Sequence, residues 1–87
     1  MTNSTKKTIA ITKLTNLATA LEAIGVDTEM DEICNGCPYL GANLWSCEDG
    51  STIRLEIMAD KDNDYEFEVV ANPLGHIDDF VNAILAL

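Results

Sequence analysis

The strongest constraint on this chain is a stretch of three alternating apolar runs, ANLWSCE (42–48), STIRLEIM (51–58) and DYEFEVVA (64–71), cut apart by the turn signals Asp49-Gly50 and 60–63. Alternation with period two puts every second side chain on one face, so the runs predict an antiparallel meander with one apolar and one polar side. Pairing arithmetic fills in the faces. A second loop centred on Lys61 sets Ile57 beside Tyr65, Leu55 beside Phe67 and Ile53 beside Val69, leaving Arg54, Glu56, Glu66 and Glu68 on the solvated side. In the first hairpin a two-residue Asp-Gly loop pairs Trp45 with Arg54 outside. A three-residue loop of Glu48, Asp49 and Gly50 pairs it instead with Ile53 in the core, the register favoured here because large aromatics supply core area.

Helical spacing brackets the meander. Leu14, Leu17, Ala18, Leu21 and Ile24 recur at three and four, predicting a helix over 13–24 with Thr12 as N-cap and Gly25 beyond its end. Ile9, Ala10 and Ile11 extend it upstream or form a short strand, helix being preferred, and residues 1–7 are expected as a flexible tail. The acidic segment VDTEMDEI (26–33) reads as a short edge strand or an extended connection. After the breaker Asn72-Pro73-Leu74-Gly75, residues Ile77, Phe80, Val81, Ile84 and Leu85 mark a second helix, with Asp78 and Asp79 in its first turn where the helix dipole favours negative charge. The expected fold is α+β: a two-layer sandwich in which a three- or four-stranded meander carries an N-terminal and a C-terminal helix on one face, αβββα, in a single domain over 1–87.

All three cysteines lie in CNGCPYLGANLWSC (34–47), which raises the question of a metal. Cys34 and Cys37 have the spacing of half a zinc knuckle, and Cys47 with His76 or a carboxylate would complete a tetrahedral set if a turn folds the segment back. The second half-site is missing, however, since no other Cys-x-x-Cys occurs and the only histidine is far along the chain. A redox reading also lacks the strand-to-helix context it needs. The favoured reading is cysteines used as small apolar residues or free thiols, with no cofactor and a reducing, cytoplasmic location. No apolar run has signal-peptide or membrane-spanning length. The run Asp60-Lys61-Asp62-Asn63-Asp64 imitates the start of a calcium loop but places Tyr65 where glycine is needed and Ala71 where the bidentate glutamate belongs. With no serine near a histidine and no phosphate-binding glycine loop, the chain is expected not to be an enzyme.

Charge is then the most specific feature. Fifteen Asp and Glu against five Lys and Arg give a net charge of −10. Such a chain repels phosphate backbones and anionic membranes and attracts basic protein surfaces. The meander gathers Glu56, Asp60, Asp62, Asp64, Glu66 and Glu68 from a hairpin tip onto the outer sheet face, where they present a row of negative charge. In size and charge alone, with no shared motif, the chain resembles the small acidic proteins by which viruses and mobile elements block nucleic-acid enzymes, anti-restriction and anti-CRISPR inhibitors among them. The resemblance implies a nucleic-acid mimic that occupies a basic groove on a protein partner. The alternative is a zinc-stabilised structural or adaptor module built on Cys34, Cys37 and Cys47.

Overall fold

A computed structural model describes residues 2–46, 48–50, 52–71 and 78–86, with the side chains of Trp45, Thr52, Ala71 and residues 78–80 outside the description. Helix α1 (Asn3–Ala23) leads into strands β1 (Asp27–Ile33), β2 (Cys37–Ser46), β3 (Thr52–Asp60) and β4 (Glu66–Ala71), and helix α2 (Asp78–Leu85) follows. The strands form one open antiparallel sheet in the order β1-β2-β3-β4. This is the expected α+β arrangement, with the acidic segment after α1 serving as a fourth, edge strand.

Helix α1 starts at Asn3 rather than Lys13, so it takes in most of the stretch expected as a tail. Thr2 is the N-cap, its hydroxyl accepting from the Thr5 amide at 3.2 Å. Ala10 continues the buried stripe, but residues 3–8 carry no apolar side chain that periodicity could detect. They are held by the cap and by ion pairs from Lys6 to Asp64 and Lys7 to Glu32. Thr8, Thr12, Thr15 and Thr19 each donate a hydroxyl to the carbonyl four residues back, which lets β-branched residues sit in an exposed helix.

The helix ends in a Schellman motif. Gly25, at φ +86°, donates to the Glu22 carbonyl, and Val26 donates to that of Leu21, each at 3.0 Å. Ile24, expected in the core, is the C-cap and stands 67% exposed. Its apolar role passes to Val26, which the reversed chain lays against the core.

The core lies between the helices and the inner face of the sheet. Leu14, Leu17, Ala18 and Leu21 of α1 and Val81 of α2 pack against Leu40, Ala42, Leu55 and Ile57. In the first hairpin Trp45 stands opposite Ile53, the register of the longer loop, with a bulge between Asn43 and Trp45. The second hairpin corrects the expected pairing: Ile57 faces Val69 and Ala59 faces Phe67. A turn of 3-10 helix (Lys61–Asn63) and the left-handed residues Asp64 and Tyr65 fill the loop, so β3 runs on to Asp60. The displacement is four residues, an even number. Glu66 and Glu68 therefore remain outside and Phe67 and Val69 inside.

Candidate functional site

The pairing of β1 with β2 brings Glu29 opposite Gly41 and Asp27 opposite Asn43, while β2 with β3 sets Gly41 opposite Glu56 and Asn43 opposite Arg54. Alternation then places Asp27, Glu29 and Asp31 of β1, Glu56 and Asp60 of β3, and Glu66 and Glu68 of β4 on the outer face. Among the described residues Arg54 is the only lysine or arginine on that face.

At the centre, Arg54 lies over Gly41. Its Nη2 donates to Glu29, its Nη1 to Asn43 Oδ1, and its Nε stands 3.6 Å from Glu56 Oε1. The same Nη2 reaches the Tyr39 hydroxyl at 3.3 Å, and that hydroxyl donates to Glu56 at 2.6 Å. A relay thus runs from guanidinium through phenol to carboxylate. Gly41 makes it possible, since a Cβ there would fall 2.3 Å from Arg54 Nη2. The Tyr39 hydroxyl and Glu29 hold the Arg54 guanidinium above its ordinary pKa. Burial first, and the bond to Glu56 second, push the Tyr39 phenol up.

The residues expected to bind a partner divide by position. Glu68 and Glu66 are exposed on the outer face, Glu66 also accepting from Asn63 Nδ2 at 3.2 Å. Glu56 belongs to the Arg54 network and is half-buried there. Asp60 caps the 3-10 turn, accepting from the Asp62 amide at 2.9 Å, and Asp62 stands exposed at the tip. Asp64 is drawn off the outer face to Lys6 of the helix layer at 3.0 Å. Asp27, Glu29 and Asp31 join the surface instead. Their period-two spacing was the available signal, legible once 26–33 is taken as a strand.

Of the four candidate metal ligands the structure describes two, which differ in exposure. Cys34, at φ +50°, is exposed on the β1-β2 turn, whereas Cys37 is 2% exposed, its Sγ accepting from the Lys61 amide at 3.5 Å. Cys47 and His76 lie outside the described residues. Among the described residues no group of three or more His, Cys, Asp or Glu side chains is arranged to hold a metal ion, and no helix is long and apolar enough to cross a membrane.

No protein-family model, curated protein or solved structure matches this chain.

Proposed function

We propose that the protein is a non-enzymatic binding protein that inhibits or modulates a protein partner by laying the acidic outer face of its sheet on a basic, nucleic-acid-binding surface. The observation that carries the reading is the sorting of charge between layers. Lys6, Lys7 and Lys13 all sit on α1 and outnumber its one acid, Glu22, so the helix is net positive within a chain of net charge −10. Asp78 and Asp79 of α2 balance that excess, so the two helices together are neutral and the whole net charge of −10 falls on the sheet and its hairpins, where twelve carboxylates stand against Arg54 and Lys61. Acidity needed only for solubility has no reason to segregate in this way.

The Arg54 network supports the same reading. A lone guanidinium fixes Glu29 and Glu56 in place, so part of the negative surface is ordered before a partner arrives, which lowers the entropy lost on docking. A basic groove that binds phosphates would meet oriented carboxylates in their stead, and the interaction would be steered by charge and weakened by salt.

The test is competition. Against a panel of purified basic nucleic-acid-binding proteins, the protein is expected to bind at least one at low micromolar concentration or better, with duplex DNA or RNA displacing it. Binding that nucleic acid leaves untouched, or no binding across the panel, would refute the proposal.

A further inference from the structure

The two edges of the sheet are unequal. At β1 the edge is occupied: Asp31 takes the Glu32 amide at 2.7 Å with its own carboxylate, Glu32 pairs with Lys7, and Glu29 pairs with Arg54. At β4 the described devices are fewer: Glu66 and Glu68 lie on the outer face, and the bulge at Val70 is confined to the far end of the strand. That strand contains neither lysine nor proline, and Val69 and Val70 are 53% and 55% exposed. Natural edges are ordinarily blunted by lysine, proline and bulges, so the regular stretch from Glu66 to Val69, which has none of these, suits strand addition.

Beside this edge the helix layer stops short of covering the sheet. A groove of about 460 Å3 opens between Lys6, Ile9, Ala10 and Lys13 of α1 and the stretch Asp64, Tyr65, Glu66 and Phe67. Ile9 is 40% exposed over it. The inner floor, partly apolar, thus continues past β4, while the outer side of the same strand carries Glu66 and Glu68.

We propose that the β4 edge binds an extended segment of another protein as a fifth strand, and that the segment alternates apolar residues with lysine or arginine. Its apolar side chains enter the groove against Ile9, Ala10 and Phe67. Its cations lie across from Glu66 and Glu68 on the outer face. The register is fixed by charge on both sides, because a one-residue slip would carry the cations into the groove beside Lys6 and Lys13. A second copy of this chain suits the edge poorly: antiparallel pairing of β4 with itself sets the carboxylates of Glu66 and Glu68 against their mates, between molecules each of net charge −10. The proposal goes beyond the acidic-face reading and shares with it only those two carboxylates.

A heptapeptide alternating lysine and valine tests it, beside the same peptide N-methylated at alternate residues, which keeps charge and side chains but removes main-chain donors. In physiological salt the unmodified peptide is expected to slow amide exchange within residues 66–71, and N-methylation to weaken binding roughly ten- to a hundredfold through loss of a few strand hydrogen bonds. Replacing Asp27 and Asp31 by lysine, on the far edge, should leave that ratio unchanged, so failure here is distinct from failure of the outer-face reading. Equal binding of the two peptides, protection at β1 in place of β4, or protection that rises with protein concentration in the absence of peptide would each overturn the proposal.

Discussion

Gly41→Ala and Arg54→Ala should each destabilise the protein, and together they should cost less than their sum. The added Cβ at position 41 would lie 2.3 Å from Arg54 Nη2, 2.7 Å from the Tyr39 hydroxyl and 2.9 Å from Glu29 Oε1, all closer than carbon approaches such atoms. Each is the end of a side chain, so the network gives way and the backbone stays. What is lost is the bond to Asn43, the weak contact to Tyr39 and the pairing with Glu29, whose side chain is 60% exposed and therefore screened. Hydrogen bonds contribute about 1 kcal/mol net and exposed ion pairs about 0 to 1, so Arg54→Ala should cost about 1 to 2 kcal/mol. Gly41→Ala loses most of the same contacts but recovers about 0.5 to 1 kcal/mol from the stiffer unfolded chain, leaving a net cost of about 1 kcal/mol. With the Arg54 side chain already gone, the second substitution meets only the movable ends of Tyr39 and Glu29 and should be close to neutral. Urea unfolding of the wild type, both single variants and the double variant, followed by circular dichroism, measures the coupling, expected at about 1 kcal/mol. Additive costs would refute the placement of Arg54 over Gly41.

Three further outcomes follow from the fold. Gly25→Ala places a side chain at φ +86° and should cost about 1 kcal/mol, read as a fall of about 4 to 8 °C in Tm. Leu55→Ala, at a position 0% exposed, should cost about 2 to 5 kcal/mol, while Ile24→Ala, 67% exposed, should stay within about 0.5 kcal/mol in the same urea assay. Because burial and Glu56 raise the Tyr39 pKa, the stability linked to this group is complete below the ordinary tyrosine value of about 10 and is lost as pH rises through the folded value; urea midpoints measured between about pH 9.5 and 11.5 should fall, and Tyr39→Phe should flatten the fall.

What the sequence made legible was set by local period. The meander, the turn at Gly25 and the inner positions Leu55 and Ile57 all follow from alternation or a left-handed glycine, which act over a few residues. Residues 3–7 were misread as a tail because their helix rests on Thr2 as a cap and on pairs reaching Asp64 and Glu32, far away in sequence, whereas the preference for helix over Ile9, Ala10 and Ile11 holds. The second register was missed because two non-glycine residues, Asp64 and Tyr65, take up left-handed conformations that composition does not announce. The acidic face was anticipated from Glu56, Glu66 and Glu68, yet its centre was not. Tyr39, Gly41, Asn43, Arg54 and Glu29 come from three strands, and only the pairing registers bring them into one cluster.

On the proposed function the outer face, and not the bulk charge, engages a basic partner. Binding to a partner identified by nucleic-acid competition should be compared for Glu66→Lys with Glu68→Lys and for Glu22→Lys with Glu32→Lys, two double variants that raise net charge equally. The first pair lies on the outer face of β4; the second lies on α1 and on the side of β1 where Lys7 pairs with Glu32. The account predicts that the first double variant keeps its fold, loses affinity by at least about tenfold and shows a shallower salt dependence, while the second stays within about threefold of wild type. Equal loss in both would reduce the interaction to net charge and contradict the account.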